Sequence, residues 1–81
     1  MTLSTPLPTF PLSDVKPGRR VRITTLDGGQ GLRSRLCALG IGPGMTLEVV
    51  SANGGPMILD VLGSRIMLGR VLARKVLVRE V

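Results

Sequence analysis

Short runs in which every second residue is apolar dominate this chain, and such runs mark strands. Val21 and Ile23 alternate with arginines in RRVRI (residues 19–23), and Leu47 and Val49 alternate with Thr46 and Glu48 in MTLEVVSA (45–52). Further on, PMILDVL (56–62), RIMLGR (65–70) and KVLVREV (75–81) are also strand-like, and a period of two places successive side chains on opposite faces of a sheet. Pro-Gly pairs precede the first two runs at identical offsets: Pro17-Gly18 before Val21 and Ile23, Pro43-Gly44 before Leu47 and Val49. Each reads as a turn with its glycine at positive φ, launching a strand.

The period changes in LRSRLCALG (32–40). Leu32, Leu36 and Leu39 fall at i, i+4 and i+7, which predicts an amphipathic helix of two to three turns with the leucines as its buried stripe and Arg33 and Arg35 turned away. Asp27 followed by Gln30 resembles a capping box, in a first turn that Gly28, Gly29 and Gly31 weaken by up to about 1 kcal/mol each relative to alanine. At the other end, Gly40 suits the left-handed position just past a helix. Ile41 can supply the apolar contact that accompanies such a cap, and Pro43-Gly44 then reverses the chain.

Gly63-Ser64 fits a two-residue type II′ hairpin turn with glycine at its first central position. That turn pairs Leu62 with Arg65, Val61 with Ile66, Asp60 with Met67 and Leu59 with Leu68, so Leu59, Val61, Ile66 and Leu68 form a core face. The opposite face carries Ile58, Asp60, Leu62, Arg65 and Met67, too apolar for an ordinary solvent face, so either the helix covers part of it or a partner does. VLARK (71–75) lacks alternation and reads as a helical or 3₁₀ turn, with Ala73 tucked inward and Val76 and Val78 facing the core.

The first residues, MTLSTPLPTFPL, lack periodicity and hold Pro6, Pro8 and Pro11. They read as an extended proline-rich tail over residues 1–12, a linker or a strip against the sheet edge, followed by a folded domain over 13–81. Ser13 or Asp14 can cap one helical turn ahead of Pro17-Gly18. The predicted architecture is mainly β: about five strands with one short α-helix in the first long loop and a short 3₁₀ turn before the last strand. Strands so few and short close most economically as a small, strongly bent, partly open barrel.

At 81 residues, 43% hydrophobic and with Phe10 as the single aromatic residue, the core must be built from Val, Leu, Ile and Met. The lack of aromatics argues against surfaces that stack bases or grip PxxP ligands. A formal charge of +6 attracts phosphate at long range, yet the basic residues are dispersed as they are on solvated strand and helix faces. No nucleic acid is therefore expected as a partner. The chain has no histidine and a single cysteine, Cys37, which reads as a small core residue beside the leucine stripe. Ser34, Ser51 and Ser64 lack an imidazole to activate them, and the five carboxylates are scattered. DGGQGLRS lacks the spacing of a phosphate-binding loop. No catalytic residue, metal ligand or cofactor is expected, which leaves a binding module, and no apolar run is long enough to span a bilayer.

Two segments carry a resemblance. LRSRLCALGIGPG (32–44), followed by GPMILDVLGSRIMLGRVLARKVLV (55–78), is similar to the FeoA family of ferrous-iron-uptake proteins, over about residues 12 to 81. The resemblance implies an SH3-like barrel, a cytoplasmic bacterial accessory protein, and FeoB, a membrane ferrous-iron transporter with a GTP-binding domain, as its partner. It also implies contact with the membrane only through that partner. A similar domain ends iron-dependent repressors of the diphtheria-toxin-repressor type, where it is joined to a winged-helix DNA reader. No reader is seen in this sequence, so a free-standing transport accessory is expected. Among the matching positions, Gly40, Pro43, Gly44 and Gly63 read as turn geometry, to which Pro17-Gly18 adds Gly18. Partner contacts are expected at Arg33 and Arg35 with Ile41, as arginines beside an apolar tip on a rigid helix, and on the face around Ile58 and Met67. The alternatives are a small basic barrel that binds nucleic acid, and a homo-oligomeric module that buries the Ile58–Met67 face against a second copy.

Overall fold

The alternating runs form one antiparallel sheet in the computed structural model, which describes residues 8–81. Its strands are β1 (Phe10–Pro11), β2 (Arg20–Leu26), β3 (Thr46–Ser51), β4 (Met57–Val61), β5 (Ser64–Leu68) and β6 (Val76–Glu80), in the order β1-β6-β2-β3-β4-β5. The sixth strand, β1, is not among the five expected, and it falls in the segment read as a linker or a strip against the sheet edge. It pairs Phe10 with Val78 and Pro11 with Leu77, and proline is tolerated there because β1 is an edge strand. A 3₁₀ turn (Leu12–Asp14) follows, and it buries Leu12. The folded unit thus takes in residues 10–12, which the sequence reading gave to the tail. Ser13 and Asp14 lie inside this turn rather than capping it. Pro6 lies outside the described residues.

Two bulges bend the sheet. The β2–β6 register shifts between Ile23 and Thr25, and the β3–β4 register between Val49 and Ser51; an extra residue on one strand adds twist and a bend. At the first bulge the Thr24 hydroxyl donates to the Leu77 carbonyl at 3.0 Å. The inner face gathers Val21, Ile23, Leu47, Val49, Met57, Leu59, Val61, Leu68, Val76 and Val78 into a wholly aliphatic core. This is the small, bent, partly open barrel expected from the strand pattern, with the SH3-like form that the resemblance implies. Ala73, in the single-turn helix α2 (Arg70–Ala73), is buried as expected.

The two Pro-Gly turns grip each other's strands. Gly18 N–H donates to the Val49 carbonyl (2.7 Å) and Gly44 N–H to the Ile23 carbonyl (2.8 Å). In return Val49 N–H donates to Arg19 (3.0 Å) and Ile23 N–H to Met45 (2.8 Å). The pattern has a local two-fold centre at the Val21–Leu47 pair. Gly18 and Gly44 have φ of 89° and 88°, a region costly for L-residues.

Helix α1 (Gln30–Ala38) connects β2 to β3. Its N-cap is Gly29, with no side-chain hydrogen bond, so Asp27 does not form the expected capping box; its own N–H donates to the Lys75 carbonyl at 2.6 Å. The C-terminus is a Schellman motif: Gly40 (φ 86°) donates to Cys37 and Ile41 to Leu36, both at 2.9 Å. The apolar contact of that motif places Leu36 and Ile41 together in the core. Leu39, at the cap, is left 45% exposed, and Cys37 is exposed as well. The leucine stripe therefore ends at Leu36, and the cysteine is not a core residue.

The β4–β5 turn also departs from expectation. Leu62 and Gly63 both have positive φ (52° and 84°), the type I′ pattern rather than II′. Val61 now pairs with Ser64, Leu59 with Ile66 and Met57 with Leu68. The slip is of two residues, so each side chain keeps its predicted face.

Arg70 ties the far end together. Its guanidinium donates to the carbonyls of Ala52 (2.7 Å), Gly55 (3.1 Å) and Ser13 (3.2 Å), joining the β3–β4 loop to the 3₁₀ turn. Arg70→Lys keeps the charge but loses the planar fork, and is expected to cost about 1.5–3 kcal/mol in urea denaturation. Gly18→Ala and Gly44→Ala are each expected to cost about 1–2 kcal/mol. A Cβ at either site meets no atom within 4 Å, so the expected cost is one of backbone conformation and not of packing. Because the two turns form one clasp, the double variant should depart from the sum of the singles by more than about 0.5 kcal/mol.

Candidate partner-docking surface

Among the described residues, no three His, Cys, Asp or Glu side chains gather as metal ligands, and no helix is long and apolar enough to cross a membrane. The candidates that the sequence offers are surfaces. The sequence-predicted positions fall in three places. Arg33 and Arg35 are exposed on α1. Two residues apart on a helix, they diverge rather than form a single fork. Ile41, expected as the apolar tip beside them, is fully buried because the Schellman contact turns it onto Leu36. The exposed apolar side chain at that corner is Leu39 instead. Ile58 and Met67 are direct cross-strand partners on the outer face of β4–β5. Ile58 is half-buried and Met67 is 67% exposed, so the described residues leave much of this face uncovered. No hydrogen bond or ion pair among the described residues links these two to the α1 arginines.

The strand register sorts the outer face into rows. The first is apolar, Ile58 beside Met67. The second is of mixed sign and crosses four strands: Arg20, Glu48, Asp60, Arg65. Within it only Arg20–Glu48 forms an ion pair, at 3.9 Å and largely exposed, a geometry worth little stability. Asp60 instead accepts from Gly63 N–H at 3.0 Å, bracing the hairpin tip. The third row runs Arg79, Arg22, Thr46, and Leu62, in the turn after β4, shares a depression with Thr46 at the end of it.

Sequence reading missed the third row. Arg22 and Arg79 are directly opposed like charges, an arrangement that disfavours the fold. Among the described residues neither reaches a carboxylate within ion-pair distance, and Arg22 makes only a 3.5 Å contact from Nε to the Thr46 hydroxyl. Leu62 is 84% exposed, on a left-handed backbone that costs a non-glycine residue roughly 1–2 kcal/mol. A signal existed in the Leu62-Gly63 pair, since glycine second in a two-residue turn marks type I′. The Gly63-Ser64 alternative spares leucine a positive φ, which is why sequence reasoning favours it.

A matching family model, the FeoA domain, covers residues 10–80. Over 71 residues the chain is 38% identical to a protein of Methanocaldococcus jannaschii named as an Fe(2+) transport protein A, spanning 88% of this chain and 87% of that one. A crystal structure of an iron uptake regulatory protein (FeoA) superposes with a TM-score of 0.86 at 36% identity, covering 93% of this chain and all of the other. A manganese-dependent transcriptional repressor shares the fold, with a TM-score of 0.84 at 16% identity over 95% of this chain and 44% of its own. An aliphatic bent sheet, a glycine-capped helix between its second and third strands and a match spanning nearly all described residues together place this chain in the FeoA domain family, a family of Fe(2+) transport accessory proteins.

Proposed function

We propose that this protein is a non-catalytic, cytoplasmic accessory of ferrous-iron uptake that acts by contact with a FeoB-type membrane transporter. The observation that carries this reading is the FeoA match over residues 10–80. The chain's own chemistry supports it. With no histidine, and no cluster of metal-ligating side chains among the described residues, what it offers a transport system is shape and charge on a rigid scaffold.

In this reading the α1 corner is one contact. A Schellman-locked helix end presents Arg33, Arg35 and Leu39 in a fixed relation, so little conformational entropy is lost when a partner meets them. Ile58 and Met67 add an apolar strip on the hairpin face. Arginine and methionine are both enriched at protein interfaces.

Arg33→Ser with Arg35→Ser is expected to leave stability within about 0.5 kcal/mol. The same pair should weaken binding to the purified FeoB-type transporter of the same genome about ten- to thirtyfold, read by surface-immobilised titration at physiological salt. Unchanged affinity would remove α1 from the interface. Failure of the unmodified protein to bind the transporter at all would sink the functional reading.

A further inference from the structure

The outer row Arg79–Arg22–Thr46–Leu62 accumulates two costs that the fold does not need. Leu62 combines 84% exposure with a φ of 52°, at a turn position where asparagine or glycine sits without strain. A single exposed leucine is ordinary, but an exposed leucine held on a strained backbone at the tip of a braced hairpin is displayed. At the other end of the row Arg22 opposes Arg79, and no carboxylate among the described residues neutralises them. Leu62 and Thr46 line a single depression with Arg20, Glu48 and Asp60, and Thr46 is the cross-strand partner of Arg22, which joins the two features on one face.

From these features we infer that this row is a docking surface for a folded protein partner, which receives Leu62 in an apolar recess and faces Arg22 and Arg79 with carboxylates. Strand spacing fixes the recess at roughly 10 Å from the Arg22 position and roughly 15 Å from Arg79. A protein fits better than a lipid or nucleic-acid surface because of the adjacent row. Glu48 and Asp60 stand beside the basic row on the same face, between Arg20 and Arg65, so the adjacent row is of mixed sign and a uniformly anionic surface would match only part of the face. A protein can place acids against Arg22 and Arg79 and a neutral or basic group against Glu48 and Asp60. This surface deepens the reading above and rests on it, with the transporter as the partner.

The test separates display from structure. Leu62→Asn relieves the backbone and should raise the thermal midpoint by about 4–8 °C, while weakening binding to the purified transporter at least tenfold. Arg22→Ser with Arg79→Ser removes the like-charge pair, so the midpoint should hold or rise while affinity drops and the dependence of binding on salt flattens. Stability and binding thus move in opposite directions, which a merely structural role does not produce. Full affinity in both variants, with loss confined to the Arg33/Arg35 change, would overturn this surface and leave the functional reading intact. Loss of affinity accompanied by a lower midpoint would overturn display, and an unmodified protein that binds no transporter would overturn both readings. Arginine-dependent binding to phosphatidylglycerol vesicles that Leu62→Asn leaves unchanged would assign the row to a membrane and overturn the protein partner.

Discussion

The fold depends on the reciprocal clasp between two Pro-Gly turns. Each glycine N–H closes the far end of the strand launched by the other, so β2 and β3 are held at both ends about the Val21–Leu47 pair. Every other element hangs from those strands. β2 carries β6, and through it β1; β3 carries β4, and through it β5. The clasp also closes the loop containing α1, whose ends it holds at a fixed separation. Closing a loop costs entropy only slowly with length, so four short backbone bonds about one aliphatic pair suffice to hold a helix-bearing insert in a small barrel. A side chain at either glycine has room but not the backbone conformation, and the constraint therefore lies in φ rather than in packing.

Much of this was legible because its causes are local. Alternation located β2 to β6, and glycine chemistry placed Gly18, Gly40 and Gly44 at positive φ. Even the wrong hairpin turn left the faces correct, because a slip of two residues preserves the parity that decides burial. The illegible parts have non-local or competing causes. β1 exists because Val78 and Leu77 lie alongside Phe10 and Pro11, which no local pattern announces. Arg70 reads as one more surface cation until Ser13, Ala52 and Gly55 converge on it. At the end of α1 two rules competed: helical spacing assigned Leu39 inward, whereas the Schellman motif assigned Ile41. The motif prevailed because helical spacing stops applying where the helix stops, at Ala38.

The candidate surface was less legible than the fold for a related reason. Arg33 and Arg35 were visible as the polar side of a helix, and Ile58 with Met67 as the apolar excess on one strand face. Arg22 and Arg79 lie far apart in sequence, so their opposition depends on the β2–β6 register. Leu62 required knowing which two residues form the turn. Dispersed basic residues along a chain can still be ordered in space, and an estimate of patchiness made along the sequence is blind to that order.

The net charge of +6 consequently changes meaning. Taken as a sum, it points to any anion. Resolved into rows, it is a pattern in which a basic row borders one that carries Glu48 and Asp60. A sum attracts, whereas a pattern selects, because mixed signs at fixed strand spacing are satisfied only by a surface bearing the complementary order. Rigidity makes that selection effective. The clasp, the bulge bond from Thr24 and the Asp60 brace on Gly63 hold the rows in one geometry, so a mismatched partner cannot be accommodated by a shift in the sheet.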